Sequence, residues 1–109
     1  MKGLVVIATG SEELEAVSII DILVRGGIQV TTATINETLE TKCSRGVIIK
    51  ADKFLKECNE EYDVIAIPGG LPGANNLAAN ELLISKMKEQ LNKNKFVAAI
   101  CASPAVVLS

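Results

Sequence analysis

Cys101 stands between Lys95-Phe96-Val97-Ala98-Ala99-Ile100, a short apolar run, and Ala102-Ser103-Pro104-Ala105-Val106-Val107-Leu108, which opens like a helix. A cysteine at such a junction sits on a sharp strand-to-helix turn, at the carboxyl end of a buried parallel strand. Its sulfur then faces the first amides of the helix. Those amides lack intrahelical partners and carry roughly half a positive charge, so they lower a thiol's pKa and offer donors to a developing oxyanion. A thiolate in that place could add to a carbonyl carbon or be oxidised by peroxide. The competing reading is a small buried hydrophobe of a core strand.

Glu15 is the acid that could act with it. On a helix its i+4 and i+7 neighbours are Ile19 and Ile22, so its carboxyl lies near an apolar stripe while Glu12 and Glu13 point elsewhere. Desolvation there would raise the carboxyl's pKa, and a protonated carboxyl can donate a hydrogen bond to a neighbouring thiolate. The alternative is a glutamate that snorkels to solvent from the stripe's edge. Gly10, Gly69 and Gly70 can bring backbone N–H groups close to a ligand atom, or they simply make turns.

Elements must bring these residues to one place. Gly3 to Ala8 is a continuous β-branched run, the pattern of a strand buried on both faces. Thr9-Gly10-Ser11 marks a turn. From Glu12 to Arg25 the apolar positions Leu14, Val17, Ile20 and Val24 recur at helical spacing, with acidic residues in the first turn and Gly26-Gly27 as the stop. Ile28 to Thr34 reads as a second strand, completing a right-handed parallel crossover. Between Ile35 and Ala51, Thr38-Leu39-Glu40-Thr41 and Val47-Ile48-Ile49 flank Ser44-Arg45-Gly46 and predict a small antiparallel hairpin insertion. Ala51 to Glu61 is expected to be a short helix, and Tyr62 to Ile67 a buried strand ending in Pro68-Gly69-Gly70. Leu71 to Ala79, with Pro72, Gly73, Asn75 and Asn76, reads as a loop holding at most a helical turn; Asn80 to Leu91 reads as a helix. The sum is an α/β fold with a doubly wound parallel sheet. Ligands of such sheets gather at the carboxyl ends of the strands, where Thr9 to Glu15, Pro68 to Gly73 and Cys101 to Ser103 arrive.

The chain's 109 residues suffice for one domain, and 49% hydrophobic with 22% charged residues fits a globular core. A net charge of -2 and 3% aromatic residues argue against a nucleic-acid or anionic-membrane partner. The apolar run from Met1 to Ala8 is shorter than a signal h-region or a membrane span, so a cytoplasmic location is expected. Cys43, Cys58 and Cys101 are widely spaced and the sequence has no histidine, which gives neither a disulfide framework nor a metal site. Gly10 stands without a glycine-rich phosphate loop, so no nucleotide or flavin cofactor is expected.

Taken in order across the chain, Gly10-Ser11-Glu12-Glu13-Leu14-Glu15, Cys43-Ser44-Arg45, Asp63-Val64-Ile65-Ala66-Ile67-Pro68-Gly69-Gly70 and Ala98-Ala99-Ile100-Cys101-Ala102-Ser103-Pro104 resemble the ThiJ/PfpI superfamily, in its DJ-one (parkinsonism-associated deglycase) branch. The resemblance implies a flavodoxin-like fold, usually a homodimer, that needs no cofactor. It implies Cys101 as nucleophile and Glu15 as the protonated carboxyl that holds its thiolate or sulfinate. Gly69, Gly70 and Ala102 would be oxyanion donors, and Arg45 resembles an arginine that approaches the site from the partner subunit. The activity implied is glyoxalase or deglycase chemistry on small dicarbonyls such as methylglyoxal, or on their early protein adducts. Open beside it are a non-enzymatic redox sensor or chaperone in oxidative-stress protection, and the family's older label in thiamine-related (hydroxyethylthiazole phosphate) biosynthesis. Peptidase activity would call for a histidine beside the cysteine. Relatives continue well beyond the position of Ser109, so residues 1–109 are expected to be the N-terminal part of one such domain. A further segment or a second chain would supply the remainder and the family's histidine.

Overall fold

A computed structural model describes residues 1–93 and 96–99. Strand β1 (Lys2–Ile7) lies at the centre of a five-stranded sheet. The strand's pleat sends Leu4 and Val6 to one face and Val5 and Ile7 to the other, and all four are fully buried. Helix α1 (Glu13–Arg25) crosses to β2 (Gln29–Thr34), which pairs parallel with β1 from Lys2↔Gln29 to Ile7↔Thr34. Next come β3 (Glu40–Lys42) and β4 (Ile48–Lys50), an antiparallel pair in a separate sheet with Thr41 opposite Ile49. Then follow β5 (Lys53–Phe54), a 3-10 turn (Leu55–Glu57), β6 (Val64–Ile67), α2 (Leu71–Ala78), α3 (Glu81–Asn92) and β7 (Phe96–Ala99).

The main sheet runs β5-β2-β1-β6-β7, parallel at every pair. Ala16 and Ile19 of α1 cover one face against Val5, Ile7 and Ala66. Leu77 of α2 with Leu83 and Met87 of α3 cover the other against Leu4, Val6, Ile65 and Ile67. Burying a leucine such as Leu83 completely stabilises by roughly 1.5–3 kcal/mol, which is what holds each helix to its face. The result is a flavodoxin-like doubly wound sheet. Among the described residues no helix is long and apolar enough to cross a membrane.

Three local expectations are corrected. The segment from Ala51 to Glu61 keeps only a 3-10 turn of its expected helix, at Leu55–Glu57, because the outer edge of β2 needs backbone partners. Lys53 and Phe54 pair with Ala33 and Thr34, while Asp52 donates its N–H to Thr32 and accepts Thr32's N–H on its carboxylate. The Leu71–Ala78 stretch is helical despite its loop-like composition. Its proline falls in the first turn, where a missing N–H leaves no intrahelical bond unmade. Finally, α1 turns Ala16 and Ile19 inward, whereas Leu14, Val17, Ile22 and Val24 are exposed. The periodic stripe of branched residues is therefore largely on the outer side.

Candidate functional site

The strand order reverses direction at β1 and β6: the chain winds outward from β1 through β2 to one side and from β6 to β7 on the other. A crevice opens outside the carboxyl ends of the strands at such a switch point. After β1, Ser11 closes a tight turn, its hydroxyl accepting from Ala8 N at 3.0 Å and its own N–H donating to Ala8 O at 3.0 Å. Gly10, with φ of 87°, provides the left-handed step that turn requires. Glu12 then caps α1 by accepting from Leu14 N, and Glu13 and Glu15 fall in the first turn, where the helix dipole favours carboxylates.

Glu15 and Gly69 are brought together. Gly69 N donates to Glu15 Oε1 at 2.8 Å, and Gly69 O accepts from Glu12 N at 2.9 Å. Both backbone groups of Gly69 thus grip the start of α1, so the N–H considered as an oxyanion donor is engaged by the carboxylate. Gly70 follows with φ of 94° as the N-cap of α2, and no described residue accepts its N–H. A Cβ on Gly70 would lie 2.6 Å from Gly10 O; one on Gly73 would lie 2.5 Å from Ser11 N. The two loops are packed backbone against backbone. β7 pairs with β6 up to Ile67↔Ala99. Cys101 follows two positions later and, with Ala102 and the helix expected after it, lies outside the described residues.

Arg45 occupies the exposed turn of the β3–β4 hairpin, beside the start of α1. The hairpin is tied there by Gly10 N to Lys42 O at 3.0 Å and Ser44 N to Ser11 O at 2.9 Å. It is also tied by Glu13, a residue read from the sequence as pointing elsewhere. Burial raises Glu13's pKa, but hydrogen bonds from its own backbone, Ser44, Arg45 and Val47 outweigh that and hold it down at about 2. No local pattern announces these contacts, since the partners are 31 to 34 residues away.

The surroundings of Cys43 and Cys58 disfavour a thiolate. Cys43 is buried with Sγ 3.7 Å from Thr41 O, and burial, helped by Glu13 and Glu12, pushes its pKa up. Cys58 ends the 3-10 turn Leu55–Glu57 and is 1% exposed within the core, where burial raises its pKa.

A profile of the DJ-1/PfpI family matches residues 1–109. Protein DJ-1 homolog B of Arabidopsis thaliana is 49% identical over 105 residues, which are 95% of this chain and 24% of the relative. Glutathione-independent glyoxalase DJR-1.2 of Caenorhabditis elegans is 40% identical over 100 residues, covering 91% of this chain and 53% of the relative. Among solved structures, Toxoplasma gondii DJ-1, oxidized, superposes with a TM-score of 0.96 at 51% identity, over 98% of this chain and 59% of that one. The chain therefore spans between 24% and 59% of the length of these relatives.

Proposed function

The chain belongs to the DJ-1/PfpI family, and from that premise we propose that it carries the nucleophile of a cysteine-dependent glyoxalase or deglycase acting on methylglyoxal or its early protein adducts. The observation that carries this reading is the 2.8 Å hydrogen bond from Gly69 N to Glu15 Oε1 at the switch point. It draws a carboxyl to the end of β6, the strand paired with β7, and β7 leads in sequence to Cys101. The relative from Caenorhabditis elegans is named a glyoxalase.

In the proposed reaction the Cys101 thiolate adds to the aldehyde carbon of methylglyoxal, and the N–H groups of Gly70 and Ala102 receive the developing oxyanion. Glu15 then carries the proton from the aldehyde carbon to the adjacent carbonyl carbon. The first carbon is thereby oxidised to a thioester and the second reduced to an alcohol. Water hydrolyses the thioester and releases lactate and the thiolate, so methylglyoxal plus water becomes lactate without an external oxidant. Replacing Cys101 with Ser in the full chain is expected to abolish lactate formation, and lactate formed at the parent rate would overturn the reading.

The relative from Toxoplasma gondii is described as oxidized, which favours peroxide sensing at the same cysteine as a second reading. There Glu15 would hold Cys101 at the sulfinic acid. Mass spectrometry after peroxide should find a different distribution of oxidation states in Glu15→Leu; an unchanged distribution counts against it.

The proposal includes a cytoplasmic homodimer. Leu14 and Val17 on α1 are 72% and 52% exposed, and Val47 and Ile48 are also exposed, on the hairpin that Glu13 ties to the start of that helix. A second copy covering this surface would bring Arg45 toward its partner. Sedimentation should give a dimer for the parent and a monomer for Val17→Asp, and a monomeric parent would remove the dimer from the reading.

A further inference from the structure

The Ser44–Val47 turn is closed from within by two backbone hydrogen bonds, Gly46 N to Cys43 O at 3.1 Å and Cys43 N to Val47 O at 2.8 Å, but few side chains pack against it. Arg45, Gly46 and Val47 are exposed, and Gly46 adopts φ of 90° with nothing within 4 Å of the position a Cβ would take. A glycine in that conformation supplies a turn but no packing. Beside the backbone bonds of Gly10 and Ser11, Glu13 fixes how the tip of the turn sits on α1. Ser44 Oγ donates to Glu13 Oε1 at 2.9 Å, Arg45 N to Oε2 at 2.9 Å and to Oε1 at 3.1 Å, and Val47 N to Oε2 at 3.2 Å. Both carboxylate oxygens are used, and the two amides flank Gly46. Charge-assisted bonds of this kind are stronger and more directional than neutral ones.

We propose that Glu13 is a positioning residue: by holding the Ser44–Val47 turn against the first turn of α1, it presents the Arg45 side chain to the site of a partner copy in one orientation. This rests on the proposed role of Arg45. An arginine's long side chain gives useful geometry only if its backbone is fixed, because a displaced anchor spreads the guanidinium over many positions. Glu13 and Glu15 then divide the work of one helical turn. Glu15 reaches inward to Gly69, and Glu13 reaches sideways to the hairpin.

The test is a double-mutant cycle in the full chain, with methylglyoxal turnover and amide hydrogen exchange as readouts. Glu13→Ala should speed exchange at the Arg45 and Val47 amides at least tenfold. It should lower kcat/KM by nearly the factor seen in Arg45→Ala, with the double variant no worse than Arg45→Ala alone. Glu13→Gln, which keeps one acceptor oxygen, should fall between the parent and Glu13→Ala and controls for loss of the fold. Losses that multiply in the double variant, or unchanged exchange, would overturn the proposal while leaving cysteine chemistry intact if Cys101→Ser is inactive. Full activity in Cys101→Ser would instead remove the catalytic reading, and Glu13's positioning role with it.

Discussion

The joint between β1 and β6 and the turn between β3 and β4 both attach to the start of α1, but different forces attach them. At the joint, Gly70 and Gly73 bring backbone so close to Gly10, Ser11 and Glu12 that no side chain fits. At the turn, Gly46 has open space around it, and the attachment is polar, through Glu13 and the backbone of Gly10 and Ser11. Close backbone packing, with the hydrogen bonds of Gly69, holds the first region, and hydrogen bonds alone hold the second. A contact made by exclusion fails all at once when an atom is added, whereas one made by several hydrogen bonds fails by degrees.

Gly73→Ala should have the largest effect. Neither Ser11 nor Gly10 can retreat as a flexible side chain would, so a loss of ~2–3 kcal/mol is expected. That corresponds to a melting temperature lower by roughly 10 °C. A variant melting with the parent would erase the distinction between the two regions. Glu15→Leu comes next. It leaves the Gly69 N–H without its carboxylate acceptor, at about 1–3 kcal/mol if no water replaces it. Denaturant unfolding measures this, and an unchanged midpoint would mean that the carboxylate does not secure the joint.

Gly46→Ala should cost only ~1 kcal/mol, the strain of a left-handed alanine without a clash. A loss as large as that of Gly73→Ala would put the two regions in one class. The smallest effect sharpens the comparison by pH. Glu13's pKa falls from 4.5 unfolded to about 2 folded, so its contribution is complete above pH 4.5 and is lost as pH falls through about 2. The stability gap between the parent and Glu13→Gln should therefore narrow over that interval. A constant gap would show that ionised Glu13 does not tether the turn.

Much of this arrangement was legible from local pattern. The run Leu4 to Ile7 has the continuous apolar character of a strand with two buried faces, and Ser44-Arg45-Gly46 between short apolar runs marks a hairpin. Strand ends placed Glu15 near Gly69 and Gly70 in expectation, though not the bond that Glu15 makes. What escaped depends on distant partners. Gly73 looks like a helix breaker until Ser11 is seen against it, and a larger residue there would prevent the helix from docking. The inner face of α1 was misjudged because branched residues occur on both sides, and Ala16 with Ile19, rather than the Leu14–Val17 side, packs against the sheet. Glu13 escaped because its donors, though they lie in a turn the sequence marks, are 31 to 34 residues away.

The absence of room at positions 70 and 73 restricts how such a protein can diversify. This joint is main chain against main chain, so it offers no side chain that mutation could lengthen, shorten or recharge. Variation around it must be written in neighbouring side chains, those of the hairpin turn and the first turn of α1, where a substitution leaves the foundation standing.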